Sequence, residues 1–147
     1  MENRYLYRAK RVDTGEWVEG SLVTGVFFRL GQEIPYMFCP NLADYDCFED
    51  FSEENGIFEV DPSTVCQCTG LKDKNGNLIW ENDIVKDNNG NFYKAYWQEN
   101  YYQFSWICAK SEKLPIGAKW DLWSIRSYEI EVIGNIFDNP ELLEVQE

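Results

Sequence analysis

The stretch from Thr69 to Val85 constrains this chain more than any other. A polar turn, Asp73-Lys74-Asn75-Gly76-Asn77, separates the apolar run ending at Thr69 from Leu78-Ile79-Trp80. Its Asn-Gly pair suits positive φ, which predicts a hairpin reversal. An acidic bend, Glu81-Asn82-Asp83, comes next, and Ile84-Val85-Lys86 restarts the chain as a strand. Two reversals so close together leave no room for a helix and point to short antiparallel strands.

The same grammar recurs along the chain. Tyr5, Tyr7 and Ala9 alternate with polar neighbours, Asp13-Thr14-Gly15-Glu16 forms a turn cluster, and Trp17-Val18 resumes the apolar run, which predicts a hairpin over Arg4 to Val23. Val26–Leu30 and Ile34–Cys39 flank Gly31-Gln32-Glu33 as a second hairpin, and Pro35 places its second strand at an edge. Phe92–Trp97 and Tyr101–Cys108 pair across Gln98-Glu99-Asn100. Lys110 to Ser127 is less regular, broken by Pro115 and Gly117, with Trp120 and Trp123 available to pack back. Glu129–Phe137 reads as a strand, and Asn139-Pro140-Glu141-Leu142-Leu143 as a cap and a short closing helix.

Turn signals every 8–12 residues or so predict a mainly β protein. Five strands (Val65–Thr69, Ile84–Lys86, Phe92–Trp97, Tyr101–Cys108 and Glu129–Phe137) fit a small SH3-like barrel over 64–147. N-terminal β-hairpins with an acidic insertion occupy 1–63, and a short C-terminal helix ends the chain. The two parts are expected to form one compact unit. Aromatic residues at 16% support strands, and 147 residues suffice for an ordinary core.

Charge narrows the function classes. The formal net charge is −13 and there is no histidine, so the commonest proton shuttle and zinc ligand is missing. So negative a chain repels phosphate backbones, which argues against nucleic acid as a partner. From Leu30 to Leu71 there is no Lys or Arg, and eight acidic residues fall between Asp44 and Asp61. Interleaved Tyr45, Phe48 and Phe51 suit a short helical turn rather than disorder. The plain reading is a solvated surface; the sharper one is a docking surface for a basic partner.

No apolar run reaches the roughly 20 residues a membrane helix needs, and no signal-peptide core follows Met1. The expectation is a soluble protein in the cytoplasm of a bacterial host cell, with no membrane partner. Five cysteines (Cys39, Cys47, Cys66, Cys68, Cys108) form an odd, irregularly spaced set, which suits reduced thiols.

Several segments together carry a family resemblance. Thr64-Val65, Thr69 to Gly76, Trp80-Glu81-Asn82-Asp83-Ile84-Val85, and Ile133-Gly134-Asn135-Ile136-Phe137 through Leu143 resemble the YopX family of phage and prophage proteins. The Arg4–Gly20 hairpin is similar to the family's opening, so the resemblance runs from Arg4 to Leu143. It implies a β-rich fold with an SH3-type barrel in the C-terminal part, encoded by a phage or prophage, and it implies no activity. Asn82 stands where the family pattern expects Gly; Asn also tolerates left-handed angles, so the bend is expected to survive.

Candidate chemistry is sparse. Glu81 and Asp83, with Asp73 near them, could act as an acid–base pair, but such residues before a strand are ordinary bend chemistry. Asp73–Asn77 departs from a calcium loop, since Ile84 stands where a bidentate Glu belongs. Cys66 and Cys68 face one side of a strand and could join Cys39 and Cys47 around zinc, although the spacings do not match a knuckle and buried thiols usually act as small hydrophobes. No catalytic residue, cofactor-binding residue or metal ligand is assigned, and no cofactor is expected.

What stays open is interaction. Asp44, Asp46, Glu49, Asp50, Glu53 and Glu54 in the acidic window, with Trp97 and Tyr101 in the aromatic-rich half, make a possible interaction surface. The expected function is a non-enzymatic binding module acting on a host or phage protein, in a chain that also forms a homo-oligomer. The alternative is a nucleic-acid-related role, by weak binding through the barrel or by acidic mimicry of DNA.

Overall fold

The computed structural model describes residues 5–40 and 56–143, and two compact units divide the chain, Asn3–Gln67 and Cys68–Glu147. In the first unit β1 (Tyr7–Lys10), β2 (Trp17–Arg29), β3 (Gln32–Phe38) and β4 (Ile57–Glu59) form a meander, and β5 (Cys66–Lys72) begins there. The order is β4-β3-β2-β1-β5, all antiparallel, with Ala9 opposite Val18 and Met37 opposite Phe58. Alternation sends Ala9, Val18, Met37, Cys39, Phe58 and Val60 into one apolar cluster. The β2–β3 reversal is tight: Leu30 and Gly31 have φ of 51° and 80°. Both angles are positive, as the primed turns that match strand twist require.

Pro35 does not put β3 at an edge. β3 lies between β2 and β4, because its ladder to β4 uses only Tyr36, Met37 and Phe38. Pro35 stops just short of that ladder, opposite a register shift in β2 between Val23 and Phe27, where its missing N–H leaves no bond unmade. Its carbonyl still accepts from the Val60 N–H at 3.2 Å.

The second unit holds the end of β5, then β6 (Leu78–Trp80), β7 (Asp83–Lys86), β8 (Phe92–Gln98), β9 (Gln103–Lys110), β10 (Lys119–Asp121) and β11 (Glu131–Asn135). β5 and β6 pair across the Asp73–Asn77 turn, and the others form a sheet in the order β10-β9-β8-β7-β11. This sheet ends at β10 and β11 with no pairing between them, so it is open. Of the five strands expected to curl into an SH3-like barrel, four lie in it, whereas Val65–Thr69 falls in β5, which pairs with β1 and β6 instead. The terminal segment is likewise no α-helix. Pro140–Leu143 is a 3₁₀ turn, and the Leu142 N–H bonds Asn139 O in the tighter i→i+3 pattern. The core gathers Ile79, Val85, Tyr93, Ala95, Trp106, Cys108 and Ile130.

Carboxylates and amides hold the turns. The Asp73 side chain is 4% exposed; Oδ1 accepts from the N–H groups of Asn75 and Asn77 and Oδ2 from that of Val132, each at 2.9 Å. Lys74 N–H adds a bond to Ile130 O, so this turn fastens the start of β11. Asn82 takes φ 69°, the left-handed angle its side chain tolerates. Its N–H donates to Ala95 O and its carbonyl accepts from Ile136 N–H, which joins the bend to β8 and to the end of β11.

Burial alone would push the Asp73 carboxyl up, but the N–H donors of Val132, Asn77 and Asn75 together hold it below the usual carboxylate range. Replacing Asp73 with Ala orphans three backbone donors and is expected to cost about 2–4 kcal/mol in urea unfolding, at roughly one hydrogen bond each. The wild type carries this contribution fully above the unfolded pKa of about 3.9 and loses it as pH falls through the lower native value. Stability measured from pH 7 down to pH 2 should therefore fall more steeply in the wild type than in Asp73→Ala.

Candidate functional site

The polar turns account for most of the residues that could have supported catalysis. Asp83 is 1% exposed, with Oδ2 accepting the Trp80 N–H at 2.8 Å. Asp87 accepts from the N–H groups of Asn89 and Asn91 on Oδ1, and from Asn91 Nδ2 and the Tyr93 hydroxyl on Oδ2. Burial would raise its pKa, yet the Asn91 side chain, the Asn91 N–H, the Tyr93 hydroxyl and the Asn89 N–H bring it below the ordinary value. The same contact, after burial, raises the Tyr93 hydroxyl. These carboxylates hold backbone in place. Asp83 of the Glu81–Asp83 pair and Asp73 of the calcium-like loop thus accept from backbone N–H groups.

Thiols are buried in the same way. Cys39, Cys66, Cys68 and Cys108 are thiols, each at most 1% exposed, while Cys47 lies outside the described residues. Among the described residues no three His, Cys, Asp or Glu side chains gather as a metal set. Burial, then the charge of Glu19, lifts the Cys39 thiol to about 11 against the opposing pull of Arg11, and burial lifts Cys108. Thiolate reacts far faster than thiol. Iodoacetamide at pH 8 is therefore expected to leave these four cysteines unlabelled in the native protein and to label them in urea, as peptide mass spectrometry would read.

The aromatic half of the chain does form a surface feature. β8 and β9 pair with Trp97 opposite Phe104, and their rings meet edge-on at 5.0 Å. Trp106 is fully buried, with Nε1 donating to Leu122 O, and Trp120 packs edge-on against Tyr93 at 5.6 Å. Phe104 and Trp106 share the core side of β9, whereas Tyr101 and Tyr102 belong to the connecting turn, 67% and 83% exposed. Trp97 is 39% exposed.

Beside that turn lies a cleft of about 390 Å³ lined by Gln98, Tyr101, Gln103, Lys119, Trp120, Asp121 and Ser124. Three of its polar side chains are already hydrogen-bonded. Ser105 Oγ donates to Gln98 Oε1 at 2.9 Å, and Gln103 Nε2 donates to Asp121 Oδ1 at 2.6 Å. Of the residues singled out from sequence, Tyr101 lines the cleft and Trp97 stands on the adjoining strand. Asp44, Asp46, Glu49, Asp50, Glu53 and Glu54 lie outside the described residues. Sequence reasoning missed Gln98, Gln103, Lys119 and Asp121; the alternation of Lys119-Trp120-Asp121 was the available signal for a strand there.

The arrangement defines an all-β protein with a solvent-open cleft lined in part by Tyr101 and Trp120, and with buried acids that serve as structural acceptors. The YopX protein family matches residues 6–144, and the chain belongs to that family. No curated protein matches it. The chain is similar to a solved structure described as protein EF1440 from Enterococcus faecalis, at 21% identity over 94% of this chain and 96% of that one, with a TM-score of 0.47. No helix among the described residues is long and apolar enough to cross a membrane.

Proposed function

We propose that the chain is a non-enzymatic binding module, encoded by a phage or prophage, which recognises a host or phage protein through the cleft beside Tyr101. The observation that carries this reading is the solvent-exposed Tyr101 ring in a cleft whose amide and carboxylate groups, Gln98, Gln103 and Asp121, are already hydrogen-bonded. An exposed aromatic beside ordered polar groups is the composition of an interface anchor, with a large contact area at small entropic cost. The absence of histidine and the engagement of Asp73, Asp83 and Asp87 by backbone donors weigh towards recognition and away from catalysis.

Affinity capture from infected or lysogenic cells tests it. The wild type is expected to retain a partner that Tyr101→Ala retains at least about tenfold more weakly, roughly 1.4 kcal/mol, with an unchanged thermal midpoint because the ring is exposed. Equal retention by both would move the site elsewhere. A mobility shift with DNA that fades as salt rises would favour the nucleic-acid reading.

A further inference from the structure

The cleft meets open backbone at the outer edge of β10. Among the described residues that strand pairs only with β9, and the sheet ends there. Its hydrogen-bond phase follows from the turn before it. Ala118 N–H closes the turn on Pro115 O at 3.2 Å, with Gly117 at φ 85°, a region only glycine enters readily. Gly117 N–H then donates to Cys108 O, and Cys108 N–H to Ala118 O, both at 2.8 Å, which makes a bulge of two residues against one. Bonded and non-bonded pairs alternate along an antiparallel ladder. Ala118 and Cys108 form a bonded pair, so Lys119–Ile107 is non-bonded, Trp120–Trp106 bonded and Asp121–Ser105 non-bonded. The N–H and C=O groups of Lys119 and Asp121 therefore point out of the sheet, with no backbone partner among the described residues.

The side chains here are half committed. Asp121 Oδ1 is held by Gln103, while Oδ2 has no hydrogen-bond or ion-pair partner among the described residues. Tyr101 lines the same cleft.

We propose that an extended, basic segment of a partner protein adds to this edge as a further strand alongside β10. This rests on reading the cleft as a protein-binding surface and names the groups that make the contact. Main-chain bonds to Lys119 and Asp121 supply the pairing, as in other strand additions. An Arg or Lys of the segment opposite Asp121 places its charge on Oδ2 and beside the Tyr101 ring. The residue opposite Trp120 faces the other side, where a β-branched residue such as threonine fits beside the ring. A net charge of −13 draws a basic segment and repels a second copy, even though Lys119 and Asp121 would match in antiparallel self-pairing.

The probe is a synthetic peptide alternating arginine and threonine, read by amide hydrogen exchange of the whole protein in NMR. At saturation the Lys119 and Asp121 amides are expected to exchange at least about tenfold more slowly, and Asp121→Asn to weaken binding by about fivefold, as for a single ion pair. Lys119→Pro, which removes an outward N–H that an edge strand can spare, should weaken binding further, and a peptide alternating glutamate and threonine should not bind. Failure of the basic peptide to bind, binding without protection of those two amides, equal binding of the acidic peptide, or protection that rises with protein concentration in the absence of peptide would each overturn the proposal. In the captured partner complex, loss of binding in Tyr101→Ala with those amides unprotected sinks the edge proposal and leaves the binding reading standing. Capture indifferent to Tyr101 sinks the reading of this cleft as the binding site.

Discussion

A single buried carboxylate organises the second unit. Asp73 sits at the β5–β6 reversal, yet one of its oxygens bonds the N–H of Val132 in β11, far along the chain. A carboxylate out of water is costly unless donors surround it, and here three backbone N–H groups do so. The turn therefore closes in one conformation and fixes where β11 begins to pair with β7. Asn82 does a similar service from the next bend, reaching β8 through its N–H and Ile136 through its carbonyl.

That use of acids recasts the net charge. Asp61 accepts from the Ser63 N–H and hydroxyl, Asp87 closes the turn before β8, and Asn135 caps the turn after β11 through Phe137 and Asp138. Side chains that bond backbone two residues on are favoured in such turns. Part of the excess of carboxylates over cations is thus spent on turn geometry. What remains on the surface still sets the long-range field that any partner meets.

Aromatic residues divide between packing and display. Trp106 and Tyr93 are buried in the core of the second unit, whereas Tyr101 and Tyr102 are pushed out by the short 3₁₀ connection between β8 and β9, where Tyr102 adopts φ 51°. In the first unit Val26, Phe28 and Leu30 stand exposed near the end of the β2–β3 arm, while the Phe27 ring meets Tyr36 at a 52° tilt, 4.6 Å between centroids. Strand alternation explains the second outcome: neighbouring residues on an extended chain face opposite sides, so Val26 and Phe28 are exposed while Phe27 turns to Tyr36.

Local chemistry was legible from the residues themselves. The turns at Asp73–Asn77 and around Gly31, the left-handed Asn82 and the β8–β9 hairpin follow from side chains acting on backbone within a few positions, and the resemblance to the YopX family includes the first of these turns and the Asn82 bend. Closure of the sheet was not legible, because whether β10 meets β11 depends on accumulated twist and on pairings between strands distant in the chain. The edge position of Lys119-Trp120-Asp121, the reach of Asp73 to Val132, and the meeting of Tyr101 with Asp121 across one cleft are long-range contacts of that kind. Only the folded structure decides them, since each requires two segments that the sequence keeps apart to be held in a single register.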